Sequence, residues 1–501
     1  MGDSSRYLVL DAGTSAGRAL VFDGNGRALA EVARDWSYEA PEDCAPWGRE
    51  FAPARFWAMM AEAAREALAA AREGTVVAVA ATGQRQATVL VDAEGHELYA
   101  GPNIDLRACF EGARLLEENG ERIHALTGHL PPMMFASARW LWLQEHKPEV
   151  CSQTHHLLMM GDWLTWRLCG LAVTDATNAA ETGLFDVTLR TWSPELAAAV
   201  GLPPEILPQV LPAGAVAGEL GRQAAAALGL CPGIAVVVAG ADTACGTIGL
   251  GLTRPGQVGV VAGWSAPAQM LLDEPRFDPA RALWTTCSHF AHLWVLEGNP
   301  GPCGSAYRWL LNLVLPAGTY EQLDELAAGV PPGSNGALAL AGPRIADYGN
   351  PHLLWGGLLL PQANDLLPIG RAEFARATLE NIAYALRANL ERVEAVAALR
   401  TLQIDLGGGL SRSQLFSQVL ADVLGRPVRV SAQPSVSGLG AAMCAAVGVG
   451  DCAGLADAAT AMKQPGLAYS PRRAVQAEYL DAYERWLQVY RGLETLSVDL
   501  V

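Results

Sequence analysis

One arrangement occurs twice in this chain. Tyr7-Leu-Val-Leu-Asp11 is an apolar run, Ala12-Gly-Thr-Ser-Ala-Gly17 a tight turn of glycines and hydroxyls, and Arg18-Ala-Leu-Val-Phe-Asp23 a second run ending in an acid. Gln257-Val-Gly-Val-Val-Ala262, Gly263-Trp-Ser-Ala-Pro267 and Ala268-Gln-Met-Leu-Leu-Asp273 repeat the order in weakened form. Short β-branched runs bounded by turn residues read as strands. A repeat of this length predicts two related α/β domains facing each other across a cleft. The boundary is placed after Leu252, giving domains 1–252 and 253–501.

The stretch from Ile234 to Gly251 points to where chemistry belongs. Its apolar run stops at Gly240, Asp242 follows, and a helix with small residues Ala244, Gly246 and Gly249 is predicted next. Asp242 thus stands where a strand hands over to a helix, the place where open α/β folds bind ligands. A carboxylate there can take a proton from a substrate hydroxyl. On this stretch alone, it serves equally well as a helix cap.

Other polar groups fall in comparable turns. Gly13 and Gly17 let backbone amides approach an anion, and Thr14 and Ser15 add hydroxyl donors. Asp11, at its strand end, suits a magnesium ion, which prefers oxygen ligands and keeps water. A strand over 75–82 leads to Gly83-Gln-Arg-Gln-Ala-Thr88, and Pro102-Asn-Ile-Asp-Leu-Arg107 adds a second polar cluster. Such clusters fit a polyhydroxylated ligand, or equally a solvated loop. Residues 110–170 read as mostly helical, 372–396 as a long helix, and 428–430 as an edge strand. Gly407-Gly-Gly-Leu-Ser411 lies between a strand and a helix, where a flat or phosphorylated ligand can rest on backbone near a helix N-terminus. Neither a P-loop nor a G-x-G-x-x-G pattern after a strand is present.

Composition narrows the partners. The formal net charge of −17 argues against non-specific binding to nucleic acid or an anionic membrane. The ten cysteines form no C-x-x-C pair, which fits a reducing cytoplasm. The N-terminus has no signal-peptide pattern, and no apolar run is long enough to cross a bilayer. Met1-Gly2 opens a myristoylation-like start, but Arg6 departs from the usual pattern.

Taken together, D-x-G-T-S, G-Q-x-x-A-T, G-x-D-x-x-x-G-x-x-G-x-G, a second Gly/Ser turn and G-G-G-x-S resemble the FGGY family of carbohydrate kinases. The resemblance runs from about Tyr7 to Leu487. Gly161-Asp-Trp-Leu-Thr-Trp-Arg-Leu-Cys-Gly170 is similar to the family's central signature. Gly407-Gly-Gly-Leu-Ser411 with Gly425-Arg-Pro-Val428 is similar to its C-terminal one. The resemblance implies two ribonuclease-H-like domains of the actin/hexokinase type, with ATP, Mg2+ and a small sugar or polyol between them. It implies Asp242 as catalytic base and Asp11 as the magnesium-associated acid. Gly13, Thr14, Ser15 and Arg18 would belong to the first phosphate loop, and Gly263 and Ser265 to the second. Gly304 and Arg308 would flank the nucleotide, and Gly408 and Gly409 its adenosine. Gln84, Arg85, Gln86 and Asp105 would hold the sugar.

Trp264 stands where the family carries a threonine, which removes a phosphate donor and motivates a second reading as a catalytically weak sugar-binding protein. An actin-fold scaffold is a third reading, opposed by the polar clusters. The spacing from Thr127 to Trp142 is similar to xylulokinases and autoinducer-2 kinases, while Gln84-Arg85-Gln86 is similar to glycerol kinases. Homodimers occur in the family, although nothing in the sequence marks an interface.

Overall fold

Ser5–Ala12 is buried on both faces, and its side chains divide between two cores. Leu8 and Leu10 pack with Phe56, Trp57 and Met60 of the helix Pro53–Ala70. Tyr7 and Val9 point the other way, against Leu439, Ala441 and Met443 of the helix Val436–Gly448. This is the period-two alternation of a strand covered on both sides, which explains its continuous apolar sequence. The computed structural model describes residues 5–71, 74–350, 355–361, 369–464 and 466–499. Met1-Gly2 lies outside the described residues.

The first sheet runs Val216–Glu219, Ala235–Ala241, Thr75–Gly83, Ser5–Ala12, Ala16–Asp23, Ala28–Asp35. Ser5–Ala12 is antiparallel to Ala16–Asp23 and parallel to Thr75–Gly83, which is itself parallel to Ala235–Ala241. The second sheet repeats the scheme. Val258–Val261 is antiparallel to Ala268–Leu272 and parallel to Ile404–Gly407, which is parallel to Val428–Val430. The recurrence read in sequence is therefore a recurrence of topology.

The halves exchange cover. Val436–Gly448 belongs to the second half, yet it roofs the first sheet. Its partner is the helix Asp242–Gly249, and the two cross so closely that a side chain would not fit between them. A Cβ on Gly440 would lie 1.8 Å from the Cys245 carbonyl oxygen, and one on Gly249 would lie 2.0 Å from that of Val436. The packing of the first sheet thus crosses the 252/253 division.

Some local expectations are revised. His156–Met159, inside the stretch expected to be mostly helical, is a strand paired with Thr88–Val91. The helix Ala136–His146 does stop before Pro148, but Pro148 also starts a new turn, Pro148–Gln153, because its missing N–H costs nothing at a first helical position. Val428–Val430 is not an edge, since Ala468–Tyr469 pairs beyond it. Among the described residues, no helix is long and apolar enough to cross a membrane.

Candidate active site

Three parallel strands of the first sheet end at one edge, and each is followed by a polar group: Gly13-Thr-Ser, Gln84-Arg-Gln and Asp242. In the first turn, the Gly13 amide donates to Ala16 O at 3.1 Å. Trp36 Nε1 donates to Gly13 O at 3.0 Å, and the Tyr38 hydroxyl donates to Thr14 O. Carbonyls pinned in this way fix the turn from one side. Thr14 Oγ1 accepts from Asn103 Nδ2 at 2.9 Å, which leaves its own proton to give. Arg18 Nη1 stands 3.6 Å from Asp11 Oδ2. Burial raises the Asp11 carboxyl above its usual range, with Arg18 opposing.

Asp242 is the first residue of its helix, and Ala241 occupies the cap position. Its Oδ1 accepts the Thr243 amide at 2.7 Å, a local bond that engages one oxygen only. Burial, and after it the Asp11 charge, push the Asp242 carboxyl up to about 7, while Arg85 pulls it back. A base poised near neutrality is what proton removal from an alcohol requires.

Gln86 is held at φ 60°, a conformation uncommon outside glycine, and the turn splays its neighbours apart. Gln84 accepts the Asn103 amide at 3.2 Å and donates to the Tyr38 hydroxyl at 3.3 Å, tying this turn to the Thr14 turn. Arg85 donates twice to Glu297, at 2.9 and 2.8 Å, and once to Glu181 at 3.3 Å. Gln86 Nε2 also donates to Glu181. Burial opposes ionisation of Glu181, but Arg85 and His129 outweigh it and hold the carboxyl at about 2. Asp105 is linked to this cluster through Arg139, which donates to Gln86 O and, at 3.2 Å, to Asp105 O. It is fully buried, and its oxygens accept from Arg49 N at 2.8 Å, Arg107 Nε at 2.8 Å and the Tyr99 hydroxyl at 2.5 Å.

The second half contributes three joined loops. The Gly304 amide donates to Trp264 O at 3.1 Å, Leu410 N to Ala262 O at 3.0 Å, and Gly263 N to Ser265 O at 2.8 Å. Gly408 sits at φ 93°, and a Cβ there would meet Ala262 O at 2.6 Å, so the close approach needs glycine. Gly263, Gly301 and Gly409 face open space. Trp264 is 42% exposed, and Arg308 lies exposed on its helix, with Nε 3.3 Å from the Tyr320 hydroxyl.

Glu181, Glu297, Gln269 and His129 carry no motif that marks them in the sequence, whereas Asn103 falls in the second polar cluster. A lone acid inside the apolar run Trp294-Val-Leu-Glu-Gly298 is the signal that could have found Glu297. Asp11 and Asp242 offer the oxygen-only donor set of a hard divalent cation, and each is raised by burial, a strain that such a cation relieves. On the helices Cys109–Thr127 and Ala136–His146, Glu111, Glu145 and His146 also carry ligand atoms within 4.8 Å of one another.

Comparison with known proteins identifies a family for the whole chain. Residues 6–249 match the pattern of the FGGY family of carbohydrate kinases, N-terminal domain, and residues 259–449 match that of its C-terminal domain. The chain is 31% identical to the autoinducer-2 kinase of Escherichia coli K12 over 508 residues, covering 98% of this chain and 95% of that one. The xylulose kinase of Rhodospirillum rubrum superposes with a TM-score of 0.83 at 28% identity, covering 98% and 99% of the two chains. The glycerol kinase of Plasmodium falciparum, solved with ADP, shares the fold with a TM-score of 0.80 at 18% identity.

Proposed function

The chain belongs to the FGGY family of carbohydrate kinases, and we propose that it moves the terminal phosphoryl group of ATP to a hydroxyl of a small open-chain sugar, xylulose-like or autoinducer-2-like. The observation that carries this reading is Asp242, standing at a strand end beside Asp11 with its carboxyl near pH 7. The substrate class rests on the autoinducer-2 kinases and the xylulose kinase to which the chain is similar.

Asp242 takes the proton from the acceptor hydroxyl as that oxygen attacks. Gly13, Thr14 and Ser15 on one side, and the Gly263 and Ser265 turn on the other, present amides and hydroxyls to the phosphates. Gly409 faces open space that suits the nucleoside, Gly408 holds that turn against Ala262, and Gly304 and Arg308 border the site. Arg85, Gln84 and Gln86 position the sugar, while Asp105 acts indirectly by fixing Arg107 and Tyr99. When bound, Mg2+ supplies neutralisation of the phosphate charge, and Asp11 is the residue that would hold it. The contacts between the halves at Arg85 and Glu297 keep water from competing as acceptor. The ten unpaired cysteines suit a cytoplasmic enzyme.

The reading of a sugar-binding protein without turnover rests on Trp264 alone, and the paired acids oppose it. ADP release with ATP, Mg2+ and a sugar panel tests the proposal. The wild type should respond to one acceptor, and Asp242→Ala should not.

A further inference from the structure

A buried polar atom without a partner loses its hydration uncompensated and calls for an explanation. Two such atoms belong to residues that line a single cavity. Gln269 is 2% exposed and Thr286 6%. Gln269 Nε2 donates to Glu297 Oε2 at 2.8 Å. That acceptor is a carboxylate, so the amide cannot be turned round, and Oε1 is committed to the other side. Gln269 Oε1 has no partner, and neither has Thr286 Oγ1.

Both residues line one cavity of about 10 Å³, shared with Thr177, Glu181, Ala241 and Thr243. Ala241 and Thr243 are the two chain neighbours of Asp242, so the cavity lies along the strand-to-helix turn that carries the base. Its walls come from both halves, with Gln269 and Thr286 on strands of the second sheet. Glu181 and Thr177 are already engaged. Glu181 accepts from Arg85 at 3.3 Å, and Thr177 Oγ1 accepts the Ala241 amide at 3.0 Å. The space holds about one oxygen atom. Gln269 Oε1 can only accept, so the occupant must bring a donor, which excludes a ketone or ether oxygen.

We infer that this cavity is an acceptor subsite. It takes a second hydroxyl of the sugar, which donates to Gln269 Oε1 and accepts from the Thr286 hydroxyl, while another hydroxyl of the same molecule faces Asp242. The inference rests on the kinase reading above and deepens it: the substrate is a polyol or hydroxyketone carrying a hydroxyl beyond the one phosphorylated. Gln269 and Thr286 become specificity-determining residues.

The test uses the full-length enzyme and the best-used acceptor from a panel of pentuloses, tetritols, pentitols and the autoinducer-2 precursor, together with the monodeoxy analogues of that acceptor. Thr286→Val keeps shape and removes the hydroxyl. It should raise the acceptor KM about tenfold, the equivalent of one hydrogen bond, with kcat and the KM for ATP within about twofold. Thr286→Ser should restore the wild-type value. One monodeoxy analogue should be used equally by wild type and Thr286→Val, because the lost partners belong together. Gln269→Leu should lose the same discrimination. An unchanged KM in Thr286→Val, or a rise of equal size for every analogue, would overturn the subsite and leave the cavity to a buried water. Absence of ADP release by the wild type with every acceptor would instead remove the kinase reading.

Discussion

Arg85 and Glu297, 212 positions apart in the chain, meet through two parallel hydrogen bonds of 2.9 and 2.8 Å. Their side chains are 8% and 0% exposed. One follows a strand of the first sheet, and the other lies within a strand of the second. The pair therefore fastens the two halves together, with Glu181 accepting a further hydrogen bond from Arg85 and Gln269 donating one to Glu297.

Removing one partner of a buried pair costs about 3–5 kcal/mol where the other charge is stranded, and less for Glu297 because Arg85 keeps Glu181. Glu297→Gln and Arg85→Met should each lower the melting temperature. The double replacement Arg85→Met with Glu297→Met should recover part of the loss. Calorimetry on the three variants checks this, and additive losses would show that the pair is not coupled.

Asp242 must be ionised to take a proton, and its carboxyl is pushed up to about 7. Log kcat/KM for the acceptor should climb with unit slope below that pH and level off above it. Asp242→Asn should lower kcat by about 10²–10⁴-fold and abolish this limb. A stopped assay from pH 5 to 9 reads both.

The same shift has a consequence for stability. Unfolded, Asp242 releases its proton near 3.8, whereas folded it keeps the proton to about 7. Between those values the folded state binds more protons, so this residue's contribution to stability falls as pH rises. Asp242→Asn should therefore melt a few degrees above wild type at pH 8, with the gap closing toward pH 4. Thermal melts across that range test the sign.

Gly440 and Gly249 permit the crossing of Asp242–Gly249 with Val436–Gly448. An added Cβ on Gly440 would stand 1.8 Å from the Cys245 carbonyl oxygen, a backbone atom that cannot step aside cheaply. Gly440→Ala should cost about 1–3 kcal/mol and reduce kcat by displacing the helix that begins at Asp242. Paired melting and kinetic measurements distinguish this from a surface change.

Trp264 is 42% exposed, so its replacement should leave stability unchanged. Trp264→Thr supplies a hydroxyl donor in the second turn and should lower the KM for ATP about threefold, a fraction of one hydrogen bond. An unchanged KM would mean that backbone amides alone hold the phosphates there.

The grammar of strand, turn and helix is local, and it sufficed to locate Asp11, Gly13, Asp242 and the Gly407 turn, as well as the repeated topology. The partners of buried polar groups are not local. Glu297 and Glu181 meet Arg85 only because two sheets close on each other, and no spacing in the chain states that. Asp105 reads as a ligand residue in sequence, and the hydrogen bonds it accepts from Tyr99 and Arg107 are not stated there. The strands His156–Met159 and Trp284–Cys287 escape a propensity reading, because the first abuts a helix directly and the second alternates little. Exchange of the helix Val436–Gly448 onto the first sheet follows from glycines whose partners lie about 190 residues away.

The most direct measurement is ADP release from ATP and Mg2+ over pentuloses, tetritols, glycerol, pentitols and the autoinducer-2 precursor, by wild type and Asp242→Ala side by side. The account predicts strong release with one open-chain acceptor by wild type and none above background by the variant. Sugar-dependent release that survives Asp242→Ala, or thermal stabilisation of wild type by a sugar without release for any acceptor, would contradict it.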